Sequence, residues 1–202
     1  MFNWFLKMCA SLFFTVVAYI TNPAVALFAD EDGELHGFLH YWQTWDNSCN
    51  PSDLIRILPS WLTDWYSGHY MEVYRSCGEL KELGRGRWYT DCINVNFTLL
   101  ERFKRYLCRV YWLTRNSAYG FCFYWLGCDY NPFHSMEIKH TEYVTKVRDL
   151  DDKDVWSYSN SSPIWGRLEW NVYLGYKLKL DATEITRCMI ANRICFKIKD
   201  KD

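Results

Sequence analysis

Proline and glycine are scarce, 5 and 10 among 202 residues, and no internal repeat is visible. Collagen-like and low-complexity architectures are thereby excluded. There is no Gly-x-Ser-x-Gly elbow and no phosphate-binding glycine loop, so neither a hydrolase nucleophile turn nor a nucleotide cradle is indicated. No Cys-x-x-Cys occurs, which removes the usual zinc spacing. Neither sign of charge dominates: 23 Lys+Arg against 24 Asp+Glu leave a net charge of −1. That balance carries no electrostatic footprint of nucleic acid. What the chain does have is apolar and aromatic surface, 50% and 19% of residues, with 11 Trp and 15 Tyr. Such a chain folds around a real core and is not disordered.

The first 26 residues read as an address. Lys7 gives a positive start, and Met8 to Ile20 is a run of 13 residues without charge. Asn22 and Pro23 follow, then Ala24-Val25-Ala26 with small residues where a signal peptidase reads them. The expectation is a signal peptide over 1–26 and a single secreted domain over 27–202, with no membrane contact after cleavage. The alternative is an uncleaved anchor, because Leu27 to Ala29 extends the apolar stretch.

Removal of Cys9 with that segment leaves Cys49, Cys77, Cys92, Cys108, Cys122, Cys128, Cys188 and Cys195. An even number in an exported chain predicts a disulfide framework, whose connectivity the sequence leaves open. Asn96-Phe97-Thr98 and Asn160-Ser161-Ser162 are acceptor sequons, whereas the proline in Asn50-Pro51-Ser52 disqualifies it. Glycans are therefore expected at Asn96 and Asn160.

Patterning predicts an α+β fold, with a helical N-terminal third packed on an antiparallel sheet or sandwich. Leu35, Phe38, Trp42 and Trp45 recur at helical spacing. Leu54 to Leu58 and Trp61 to Trp65 continue in helical fashion around Pro59, and the tryptophans there read as core. Strands are expected over 69–76 and 88–95, with a turn at 84–87. Thr98 and Glu101 form a capping box for a helix whose apolar face is Leu99, Leu100, Phe103, Leu107 and Val110. Arg102, Arg105 and Arg109 line another face and form the candidate binding face for an anionic partner. The aromatic run 119–126 predicts a strand. From Ile164 to Leu180 every even position is apolar or glycine, which predicts one long half-buried strand bent near Gly175. Ile194, Phe196 and Ile198 predict an antiparallel partner. Residues 136–147 alternate with a break near 140–142, and 149–154 form a charged loop.

His36 and His40, four apart, would share a helix side and could hold a metal. No third ligand is indicated, so no metal and no cofactor is expected. Leu35-His36-Gly37-Phe38, the segment Tyr70 to Cys77 and Glu184 to Cys188 resemble elements of the secreted acid ribonucleases. Ser76 stands where that family's second catalytic histidine belongs, so the resemblance implies an inactive relative. Gly86-Arg87-Trp88 resembles the opening of lipocalins, which implies a small-ligand barrel, but it falls well inside the chain. Trp156 to Ser159 resembles half of the cytokine-receptor Trp-Ser box. No catalytic residue is assigned. The composition favours a non-enzymatic secreted glycoprotein of effector, salivary, venom or viral immunomodulatory type. Its partner would be an extracellular protein or small ligand, with nucleic acid excluded.

Overall fold

The computed structural model describes residues 2–44, 47–50, 53–75, 87–130, 139–140, 142–148, 154–166, 168–178 and 184–198. Cys77, Trp45, Ser76, the turn at 84–86 and most of the 149–154 loop lie outside them. The chain divides into two compact units, one of Thr21–Asn116 and one of Met1–Ile20 with Ser117–Asp202. The fold is α+β with antiparallel sheets, as the patterning predicts.

The helix α1 (Phe2–Val25) is 24 residues long and carries a single charge, Lys7. At 1.5 Å per residue it extends about 36 Å. Its residues Phe2–Ile20 belong to the sheet unit. Met8, Ser11 and Ala18 are buried there, while Phe2, Phe5, Leu12, Phe13, Val16 and Ile20 are exposed.

In the 21–116 unit, a 3₁₀ turn (Ala26–Phe28) is followed by another at Gly37–Trp42. The expected amphipathic helix from Leu35 does not form. Gly37 adopts a φ of +59°, outside the right-handed helical basin, so Leu35 and His36 stay extended. Leu35 and Trp42 are buried, but Phe38 is exposed. Short helices α2 (Asp53–Ile57), α3 (Ser60–Thr63) and α4 (Trp65–His69) lead into the hairpin β1 (Tyr70–Arg75) and β2 (Arg87–Cys92). The core collects Leu54, Leu62, Trp65, Tyr66, Phe97 and Trp112. Trp42, Trp65 and Trp112 are core residues, whereas Trp61 is exposed.

The long helix α5 (Leu99–Arg115) starts at the predicted capping box. Glu101 N–H donates to Thr98 Oγ1 at 3.3 Å, and Thr98 N–H donates to a Glu101 carboxylate oxygen at 2.7 Å. Its inward face corrects the sequence reading. Leu99 is 86% exposed, and Leu100 and Phe103 are exposed too. Arg105, Cys108, Arg109, Trp112 and Leu113 are the buried positions instead. Leu107 packs against the core from the edge.

In the sheet unit, Phe121–Trp125 is a π-helical turn, not the expected strand. Cys122 N–H donates to Ala118 O and Leu126 N–H to Phe121 O, five residues back. A dense aromatic run has no period, so it cannot separate strand from helix. Phe121 stacks on Phe14 of α1 at 4.7 Å. The main sheet is ordered β4 (Lys139–His140), β5 (Val144–Arg148), β6 (Asp154–Trp165), β7 (Leu168–Tyr176) and β9 (Ile190–Ile198). A separate pair joins β3 (Cys128–Tyr130) to β8 (Thr186–Cys188).

The single strand expected over 164–180 is in fact a reversal, between Trp165 at the end of β6 and Leu168 at the start of β7. The register shifts between Pro163 and Trp165, so Trp165 opposes Leu168 while Ser162 opposes Trp170. Before that shift the ladder opposes even with even residues, so the even positions of β7 share a face with those of β6, and the shift then brings the odd-numbered Trp165 onto it. The partner strand is present as β9, paired antiparallel with β7. Gly175 lies inside the sheet with a φ of +120°.

Candidate anion-binding cleft

A cleft of about 380 Å³ opens in the 21–116 unit. One wall is the Arg102, Arg105 and Arg109 side of α5, together with Val95 and Phe97. The opposing wall is the segment Ala26 to Glu31. Helical spacing of three and four puts the three guanidiniums on one face. The structure thus brings the sequence-predicted trio to a single concave site.

The three arginines differ in setting. Arg102 is exposed and donates from Nε to Phe97 O at 3.2 Å. Arg105 is 6% exposed. Its guanidinium lies 4.0 Å from the Phe97 ring centroid and 5.9 Å from that of Trp65, and Nη2 reaches Tyr70 Oη at 3.5 Å. Its Nε has no hydrogen-bond partner. Arg109 is 9% exposed. It donates from Nε to Asn50 Oδ1 and from Nη1 to Ala29 O, both at 2.9 Å, and from Nη2 to Asp30 O. Burial, and then the charge of Arg105, pull its pKa down to about 10. Among the described residues no carboxylate lies within ion-pair distance of Arg105 or Arg109. A desolvated cation lacking an anion is costly.

Asn50 ties the site together. Its Nδ2 donates to Glu31 O at 3.2 Å and to Tyr70 Oη at 3.3 Å, while its Oδ1 accepts from Arg109. Burial raises the Tyr70 pKa, keeping its hydroxyl a neutral donor, here to Glu31 O. Burial also works to raise the Asp30 pKa. The Glu34 N–H and His36 outweigh it and hold that carboxyl below the usual range. Asn50, Tyr70 and the 29–31 segment escape a reading of the sequence, where they are ordinary residues far apart in the chain. The only local signal is the disqualified sequon at Asn50.

Other predicted sites fare variously. His36 is extended and pairs with Asp30 at 2.7 Å, so it shares no helix side with His40. No metal-ligating cluster exists among the described residues. Asn96 is exposed in a loop. Asn160 lies within β6, donating to Tyr158 Oη at 3.1 Å and accepting from Ser162 Oγ at 3.2 Å. No disulfide bond joins the described cysteines. Cys49, Cys92 and Cys108 lie in the 21–116 unit, and Cys122, Cys128, Cys188 and Cys195 in the sheet unit. Cys128 and Cys188 are direct antiparallel partners. Burial pushes the Cys49 and Cys122 pKa values up to about 12, so neither is a thiolate at neutral pH.

A family model described as a family of unknown function, DUF7338, matches residues 1–201. The chain belongs to that family. No curated protein and no solved structure matches it. The DUF7338 match runs through α1 as well as through both units.

Proposed function

We propose that this DUF7338 protein is an exported, non-enzymatic binding protein whose arginine cleft holds an anionic group of its partner. The observation that carries this reading is the pair of buried guanidiniums, Arg105 and Arg109, facing one cleft without a carboxylate in ion-pair range among the described residues. A carboxylate or phosphate there would meet charge-assisted donors in a desolvated setting, where such bonds are strongest. Asp30 and Glu31 on the facing wall disfavour a polyanion such as nucleic acid. A single anionic group on a small ligand or a peptide suits the cleft.

Export is supported by the apolar N-terminal helix, which is long and apolar enough to cross a membrane. Retention of that helix fits the contacts better than cleavage after Ala26. Trp42 Nε1 donates to Thr21 Oγ1 at 2.8 Å, Tyr106 Oη donates to Pro23 O at 3.0 Å, and Ala26 itself lines the cleft. Cleavage would remove all three. Disulfides and glycans accompany export in this reading, with Asn96 the more accessible sequon.

The test is thermal unfolding of the full chain with inorganic phosphate or acetate at constant ionic strength. Phosphate or acetate at 100 times its Kd stabilises by about 2.7 kcal/mol. Arg105→Met keeps the bulk and removes the charge, so its unfolding should lose that dependence on either anion. A wild type indifferent to both anions, or an Arg105→Met protein that responds equally, refutes the reading.

A further inference from the structure

The even-numbered face of β7 and β9 is apolar along most of its length, yet α1 covers only one end of it. Directly opposed residues in an antiparallel ladder share a face, as do alternate residues along each strand. At one end Tyr176 opposes Ile190 and Leu174 opposes Asn192. There Lys7 Nζ donates to Tyr176 Oη at 3.0 Å, and Asn192 Nδ2 donates to Met8 O at 3.3 Å and to Ser11 Oγ. At the other end Trp170 opposes Phe196, Val172 opposes Ile194, and Trp165 opposes Leu168. Nothing among the described residues covers that end: Trp165 is 86% exposed, Phe196 67% and Ile194 65%. The outer side of α1, with Phe2, Phe5, Leu12, Phe13, Val16 and Ile20, is exposed as well. Both apolar surfaces lie on the side of the sheet that carries α1.

We propose that the sheet unit docks on a lipid bilayer through this side, with α1 lying in the plane of the interface. Three observations select lipid as the occupant. The helix is long and apolar enough for a membrane and has one charge, Lys7, which is turned inward to Tyr176. Ser11 and Lys7 bond to the sheet, leaving an outer side that is apolar apart from Asn3. The uncovered sheet end presents two tryptophans and a phenylalanine, and tryptophan in particular favours the headgroup boundary. A spanning orientation is disfavoured by the same contacts. It would carry the edges of β4 and β9, unpaired among the described residues, into hydrocarbon, where their backbone groups would lack partners. The helix therefore lies on the bilayer with its inward side held by the sheet.

Flotation tests this. The full chain, purified in a mild detergent that is then removed in the presence of phosphatidylcholine vesicles, should rise with the vesicles. The double variant Trp170→Glu/Phe196→Glu, with its circular dichroism unchanged, should lose about tenfold in the bound fraction. Ile194→Lys serves if the double variant misfolds, and Glu72→Gln, exposed on β1 in the other unit, should float like wild type. Three results overturn the proposal. One is a wild type that stays at the bottom of the gradient. Another is sheet variants that float fully, which would mean that α1 alone inserts. The last is a dimer by light scattering that the sheet variants dissociate, which would make a second copy the occupant.

Discussion

The two units place their charged and apolar residues in opposite ways. In the 21–116 unit, α5 turns Arg105 and Arg109 inward and leaves Leu99, Leu100 and Phe103 outside. In the sheet unit, the even-numbered face of β7 and β9 is apolar, and its exposed residues Trp170, Ile194 and Phe196 lie at the end away from the α1 contacts. The lesson is that outward apolar residues arise in two ways. On α5 they result from burying polar groups for a site, and on β7 and β9 from a face wider than the helix laid across it.

The largest expected effect sharpens the contrast in covalent terms. Cys128 and Cys188 are opposed in the β3–β8 ladder, and either kind of antiparallel pair puts Cα atoms about 4.5 or 5.5 Å apart. That separation lies within the disulfide range. In an exported protein the two thiols pass two electrons and two protons to a disulfide oxidant, and the new bond closes roughly 60 residues. It should then stabilise by about 4 kcal/mol, by the chain-entropy argument. Non-reducing peptide mapping should recover a Cys128–Cys188 peptide, and denaturant titration with and without reductant should show the loss. Recovery of Cys128 bonded to a cysteine of the other unit would break the division into two cysteine sets.

Backbone strain gives an effect of intermediate size. A Cβ at Gly175 would sit 2.2 Å from Trp156 O and 2.9 Å from Ser157 Cα, both backbone atoms of β6. At Gly37 in the other unit, φ is +59° and nothing lies within 4 Å. Gly37→Ala should therefore cost about 1 kcal/mol, the left-handed penalty alone. Gly175→Ala should cost about 3 kcal/mol, because the paired strand must move too. Equal costs in urea titrations would mean that the sheet yields as easily as the 3₁₀ segment.

The smallest effect concerns the start of α5. Thr98→Ala should lower stability by about 1 kcal/mol. The Thr98 N–H and hydroxyl hold the Glu101 carboxyl below its ordinary pKa. A depressed carboxyl contributes stability that is present above its unfolded pKa and lost as pH falls through its folded value. The advantage of wild type over Glu101→Gln should thus be present at neutral pH and decline as pH falls below the ordinary glutamate pKa of about 4.3. A difference that does not decline with acidification would show that Glu101 acts through something other than its charge.

Features fixed within a few residues are legible in the amino-acid sequence. The capping box, the β1 and β2 strands, the β9 partner and the common face of Arg102, Arg105 and Arg109 all follow from short-range spacing. The π-helical turn at Phe121–Trp125 is not legible, because the aromatic run fits either element. The reversal near Gly166 is hidden because only Ile164 and Gly166 of the alternating run precede β7, too few for the register shift between Pro163 and Trp165 to show as a break.

Sequence by itself determined the capped start of α5, the period-two face of the sheet and the residues that share a side of α5, since each rests on local backbone geometry. Only the tertiary structure decided which side of α5 turns inward and that Asn50, Tyr70 and the 29–31 segment meet Arg105 and Arg109. It also decided how much of the sheet α1 covers. Periodicity specifies that two faces differ, but burial depends on what packs against each, and those partners lie tens of residues away along the chain.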